Sequence, residues 1–217
     1  MKSSTFLFLL ICTVMVLVLT SAQPTAFAQN SDRVVVTSPP KISNPVQLAA
    51  IVVDGRGIEP KVPFSAADDW FDHMRIVFKN QSQKTVTCIR INMAFPETGD
   101  GKTTPWAGAQ ILFGQLPDYD KKRLGLTGPD LEPKLAIAPG QTLDINLAPY
   151  KAGLDNAVHE LGHRQTVSEL RMEIMNVYFD DGMQWQPGPG YMKPSPGEKH
   201  SYTPIDGREI HDLPHPN

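Results

Sequence analysis

Apolar side chains recur at every second position in several stretches of this chain, the period of a β-strand with one buried face. The alternation is clearest in residues 74–79 and 88–95, where Met, Ile and Phe side chains share one face. The polar residues 80–84 between these two stretches predict a hairpin. Four further strand candidates have similar apolar character: residues 33–37, 46–53, 109–113 and 143–147.

The last predicted strand pair consists of residues 170–179 and a partner that contains Trp185. The apolar set changes phase within the first strand, which predicts either a β-bulge near Asn176 or burial of both faces. The Asp-Gly pair at 181–182 suits a two-residue type I′ turn. Such a turn places Tyr178 opposite Trp185, a favourable aromatic pair.

One stretch, residues 150–164, has the period of an amphipathic helix, and Asp155 is its candidate N-cap. Its apolar stripe has the i, i+3, i+4, i+7 spacing and consists of Leu154, Ala157, Val158 and Leu161. The 20 prolines in 217 residues favour strands and loops over long helices. We therefore predict a mainly β fold: an antiparallel Ig-like β-sandwich with one short helix and an extended C-terminal tail.

The chain divides into four predicted segments. Residues 1–28 have the charged start, the apolar run and the Ala-Phe-Ala end of a secretory signal peptide. Its removal predicts an exported protein, periplasmic or secreted, with no membrane span after cleavage. A leader segment follows at 29–44, the β-sandwich domain at 45–186 and a Pro-rich extended tail at 187–217.

The charge balance and the cysteines narrow the class of protein further. Twenty basic and 23 acidic side chains give a formal net charge of −3, without the basic patch that binds nucleic acid. Of the two cysteines, Cys12 lies in the predicted signal peptide and Cys88 is alone in the mature chain. A single cysteine cannot form an internal disulfide, so Cys88 is either a packed thiol or a site that pairs with another chain.

Residues 159–163, His-Glu-Leu-Gly-His, match the H-E-x-x-H pattern of zinc enzymes. On a helix, residues i and i+4 share a face, so both imidazoles can reach one zinc ion. The pentapeptide resembles that of zinc metallopeptidases of the zincin class. The resemblance implies zinc ligation by His159 and His163, Glu160 as general base and Glu169 as a candidate third ligand.

The helical projection argues against a zinc site at this motif. With about 100° per residue, His159 and His163 lie on the side of the helix opposite its apolar stripe. Imidazoles in that position face solvent, whereas a catalytic zinc needs a cleft and groups that fix the ring tautomers. The leading interpretation therefore assigns no catalytic residue, no metal and no cofactor.

The strand pair at 176–185 resembles the closing hairpin of uncharacterised exported bacterial β-sandwich proteins, which implies an Ig-like fold and no activity. Because no catalytic constellation is complete, we predict an exported, non-enzymatic domain that binds another protein or a component of the cell envelope. The alternative is a zinc-dependent metallopeptidase that uses the motif at 159–163. The sequence leaves the oligomeric state open.

Overall fold

The computed structural model describes residues 31–39, 44–123, 134–195 and 202–205. The predicted signal peptide, residues 1–28, lies outside these ranges. The described residues form a mainly β structure of two antiparallel-rich sheets with short helices, which confirms the predicted class at this level. None of the described helices combines the length and the apolar character that a membrane span requires.

Twelve strands and two short α-helices are present in the described part of the chain. They are β1 (Ser31–Thr37), β2 (Val46–Val53), β3 (Arg56–Ile58), β4 (Phe64–Ala66), β5 (Met74–Asn80), β6 (Val86–Phe95), β7 (Ala107–Gly114), α1 (Asp118–Arg123), β8 (Thr142–Asn146), α2 (Lys151–Asp155), β9 (Glu169–Phe179), β10 (Gln184–Gln186), β11 (Gly190–Pro194) and β12 (Tyr202–Pro204). Two 3₁₀ turns, Pro96–Thr98 and Ala148–Tyr150, and a π-helical segment, Asn156–Leu161, complete the set.

The smaller sheet has four antiparallel strands in the order β3-β2-β5-β8. In the larger, eight-stranded sheet β9 is central. β6 pairs along one edge of β9, while β1 and β10 share the other edge. β7 lies beyond β6, β4 beyond β1, and β11 and β12 beyond β10. Inward side chains from both sheets belong to one hydrophobic cluster, so the two sheets share one core.

Strand alternation follows the predicted pattern. In β5, Met74, Ile76 and Phe78 are buried while their neighbours are more exposed. In β9 the register against β6 shifts between Ile174 and Asn176. This irregularity is the bulge predicted near Asn176, and it lets both halves of the long strand direct apolar side chains into the core.

β5 and β6 are the two strands of the first predicted hairpin, but they belong to different sheets. The connection is held by the Asn80 side chain. Its Oδ1 accepts the Ser82 N–H at 2.9 Å, and its Nδ2 donates to the carbonyls of Lys84 and Ile137 at 2.7 and 2.8 Å. These bonds lead the chain from one sheet to the other, so the predicted pairing is wrong although both strands exist.

The hairpin of β9 and β10 exists, but its turn differs from the predicted one. Phe179 N–H donates to the Met183 carbonyl at 3.0 Å, and Gly182 has φ 81°. This is a three-residue loop with glycine in the left-handed region, as in a type I turn followed by a bulge. The longer loop pairs Tyr178 with Gln184 and Trp185 with Val177, so the predicted Tyr178–Trp185 pair is wrong.

Residues 148–161, which we call the helical connection, link β8 to the loop before β9. The α-helix begins at Lys151 with Tyr150 as N-cap, and it continues into the π-helical segment at Asn156. Asp155 lies inside this helical run and its side chain makes no capping hydrogen bond, so the predicted N-cap is wrong. Each residue of a π turn advances less around the axis than in an α-helix. Leu161 therefore leaves the stripe and is 60% exposed, against the prediction. The rest of the stripe is buried: Leu154, Ala157 and Val158.

The leader segment and the tail both contribute strands to the larger sheet. β1, from the leader, runs parallel to β9. Its buried Arg33 donates to the Val167 carbonyl at 2.8 Å and pairs with Asp68 at 2.5 Å, which ties the strand to two loops. From the tail, β11 and β12 continue the sheet beyond β10, and Tyr191 stacks on Phe179 with ring centroids 5.8 Å apart.

Candidate functional site

The H-E-x-x-H residues lie at the end of the helical connection. His159 belongs to the π-helical segment and its side chain is 39% exposed, with Nε2 3.9 Å from Asp155 Oδ1. Glu160 and His163 are also exposed. Both imidazoles are thus at the surface, as the helical projection predicts.

The local backbone separates the two histidines. Gly162 ends the helical connection, and its N–H donates to the Ala157 carbonyl at 2.9 Å. A side chain at this glycine would collide with Thr98, whose Cγ2 lies 2.4 Å from the position of an added Cβ. His163 then adopts φ 54°, outside helical geometry. The i, i+4 argument for a shared helical face does not hold for this pair.

The candidate third ligand, Glu169, has other contacts. It begins β9, and its carboxylate accepts a hydrogen bond from Arg171 Nε at 2.7 Å. Its backbone N–H donates to Glu97 Oε1 at 2.8 Å. Within the described ranges, no three His, Cys, Asp or Glu side chains are grouped so that they could hold a metal ion.

Cys88 lies on the outer face of the larger sheet, opposite to the core-facing side chains of β6. A second layer covers it, and the side chain is fully buried in a small cluster with Tyr178 and Leu116. Leu116 belongs to the described residues that follow β7, so this part of the chain supplies the cover. The packing supports the packed-thiol alternative.

A concave feature with a mainly apolar wall lies between the two sheets, and we call it the intersheet cleft. It has a volume of about 530 Å³. The smaller sheet contributes Val46 and Leu48 from β2 and Phe78 from β5. The larger sheet contributes side chains from β6, β9 and β10: Ile91, Met172, Ile174 and Trp185.

The cleft exists because strands end early in both sheets at the same place. β1 pairs with β9 up to Met172 and β10 pairs from Val177, and no other described strand pairs with this edge of β9 between them. Pro39 and Pro187 follow the two short strands and cannot donate to the ladder. In the facing sheet, β3 pairs with β2 only at residues 51–53. The first half of β2 therefore has no described partner on this side and forms an edge of the sheet.

Polar groups surround the mouth of the cleft. Gln81 Nε2 donates to Gln47 Oε1 at 2.6 Å, and Asn44 Oδ1 accepts the Val46 N–H at 3.1 Å. Among the described lining residues, Glu173 is the only ionisable side chain. The described lining is therefore mainly apolar, with amide and hydroxyl residues and with Glu173 as its one ionisable residue.

Sequence reasoning missed the cleft. Its walls come from segments far apart in the chain, and no short motif marks them. The prolines at 39 and 187 were the available signal, because they follow two strands of the same sheet. Comparison of the chain with protein-family models, curated proteins and solved structures finds no match.

Proposed function

We propose that this protein is an exported, non-enzymatic domain with an Ig-like β-sandwich fold, and that it binds a component of the cell envelope in the intersheet cleft. The observation that carries the proposal is the cleft itself. Ligand sites in proteins are typically concave, mainly apolar and between about 300 and 1,000 Å³ in volume.

Strand order supports the Ig-like assignment. In an Ig-like sandwich, strands A, B and E are neighbours in one sheet and strands C, F and G in the other, with C′ added beside C in some members. The order β2-β5-β8 corresponds to A-B-E, and the order β7-β6-β9-β10 corresponds to C′-C-F-G. β1, β3, β4, β11 and β12 are additions to this arrangement.

The cleft chemistry supports a non-enzymatic role. General acid–base and nucleophilic catalysis use cooperating ionisable groups within hydrogen-bond reach of each other. The described part of the cleft wall offers Glu173 alone. The metallopeptidase alternative gains no support, because His163 lies outside the helix that carries His159.

The shape of the site favours a small envelope component over another protein. Specific protein interfaces bury roughly 800 Å² on each partner and are spread over a broad surface. The described ranges have only three exposed large apolar residues, namely Val62, Trp106 and Leu161. Concentration of apolar surface in a cavity is typical of small-molecule binding.

Native mass spectrometry of the exported protein tests this proposal. We expect a mature chain that begins at Gln29 and carries a small molecule, released on unfolding. Leu48→Trp fills the cleft and should abolish the added mass, whereas Val52→Trp adds the same ring to the same strand outside the cleft and should retain it. A ligand unaffected by Leu48→Trp, or a polypeptide in its place, would contradict the proposal.

A further inference from the structure

We infer that the ligand of the intersheet cleft is an uncharged, mainly apolar small molecule, without an anionic head group. This inference rests on the proposed function, since it names the chemical class that the same site accepts. Three features carry it: the apolar wall, the lack of a cationic side chain in the described lining and the position of the opening.

The wall favours an apolar occupant. Phe78 and Ile91 come from facing sheets, and Met172 and Trp185 complete an apolar surface on the larger sheet. Each of these four side chains is otherwise part of the hydrophobic core. These four side chains are almost fully buried, so the apolar surface that a ligand would remove from water belongs mainly to Leu48 and Ile174, which are only partly buried. Its removal is worth about 25 cal/mol per Å² of apolar area.

The lining lacks the cation that an anionic head group needs. Fatty acids, phosphates and sulfonates need a cation or several N–H donors when their head groups leave water. In the described lining, no Lys, Arg or His is present. The amides of Gln47 and Gln81 bond to each other at 2.6 Å, which leaves hydrogen-bonding capacity suited to a hydroxyl or carbonyl group.

The position of the opening suggests how the ligand enters. β9 lacks a described neighbour between Met172 and Val177 on this edge, so the wall there is a single strand. Ile174 lies in this gap, and both Ile174 and Trp185 line the cleft. Substitution at Ile174 should therefore affect binding independently of Leu48, which lies on the facing sheet.

Two fluorescent probes with the same aromatic skeleton test the inference. N-phenyl-1-naphthylamine is uncharged, and 8-anilino-1-naphthalenesulfonate adds a sulfonate to it. We expect one molecule of the uncharged probe to bind per chain, and the sulfonate to bind at least about tenfold more weakly, a difference of about 1.4 kcal/mol. Leu48→Trp and Ile174→Phe should each reduce binding of the uncharged probe at least about tenfold, and Val52→Trp should leave it unchanged.

The outcomes separate this inference from the proposed function. Equal or tighter binding of the sulfonate, lost in the cleft variants, would overturn the inference and leave a cleft that binds ligands. Binding of neither probe would contradict both. Binding of the uncharged probe that both cleft variants retain would place it elsewhere and overturn the inference. Thermal unfolding of each variant establishes that a loss of binding is not a loss of fold.

Discussion

The shared core has two flanks, one at each pair of sheet edges, and they differ in how they are covered. On the β7–β8 flank the helical connection covers the core: Leu154, Ala157 and Val158 are buried, and Tyr150 meets Phe113 edge to face at 5.2 Å. On the opposite flank, where β2 faces β1 and β10, strands end at prolines and the intersheet cleft remains.

This difference shows how a two-sheet fold creates a binding site without a dedicated motif. Both flanks have apolar side chains between the sheets, and what distinguishes them is the connection that follows. The chain after β8 returns over the core with an apolar stripe. β1 is instead followed by Pro39 and β10 by Pro187. A closed flank contributes stability, and an open flank keeps apolar surface available to a ligand.

The largest effect is expected on the closed flank. Leu154→Ala removes a fully buried side chain from the helical connection, and we expect a loss of about 2–5 kcal/mol in the free energy of unfolding. Urea denaturation measures it. Leu161→Ala is the matched control, because that leucine is 60% exposed, and it should change stability by less than about 0.5 kcal/mol. Equal losses in the two variants would show that the π-helical register is wrong.

Enlarging a side chain should lower the free energy of unfolding on the closed flank and leave it nearly unchanged at the cleft. Ala157→Leu forces extra atoms against a packed surface and should cost about 1–3 kcal/mol. Leu48→Trp adds more atoms but places them in the cleft, so its free energy of unfolding should stay within about 0.5 kcal/mol of wild type or rise. If both variants lose stability to the same degree, the cleft is closed in solution and the comparison fails.

Glu97 holds the far end of the closed flank. Its Oε1 accepts the backbone N–H groups of Ser168 and Glu169 at 2.7 and 2.8 Å, and the Ser168 hydroxyl as well. Glu97→Ala leaves these partly buried donors without their acceptor, and we expect a cost of about 1–3 kcal/mol in urea denaturation. Glu160→Ala, at an exposed position, serves as the control and should be near neutral.

Local features of this structure were predictable and longer-range ones were not. The period of β5, the bulge in β9 and the burial of Leu154 follow from side-chain spacing within one element. The outward position of His159 follows from the same geometry. Each of these depends only on residues close together in the chain, which is the range over which a pattern carries information.

The errors arose where a single side chain or an extra residue redirected the backbone. The Asn80 amide, bonded to Ile137, sends β5 and β6 into different sheets. The π-helical segment turns Leu161 outward. Gly182 lengthens the last hairpin loop and shifts Trp185 by one position. Because the cleft depends on where strands from both sheets end, no single segment predicted it.

The tail strands on the cleft flank should make stability depend on pH. Burial raises the pKa of Tyr191 and of Tyr202 to about 12. In the unfolded chain these hydroxyls titrate near pH 10. Between about pH 10 and 12 the unfolded chain releases protons that the folded chain retains, so stability should fall as the pH rises through this window and be unaffected below it.

Urea denaturation midpoints at pH 8, 10 and 11 measure this slope. Tyr202→Phe should make the slope shallower, because one of the two shifted groups is removed, while its stability at pH 8 reports any lost packing separately. The Tyr202 hydroxyl also lies 3.4 Å from the Gly182 carbonyl, so part of the loss at pH 8 comes from this contact with the β9–β10 loop. An unchanged slope in Tyr202→Phe would mean that β12 does not pack on the sheet in solution, and the cleft flank would then end at β11.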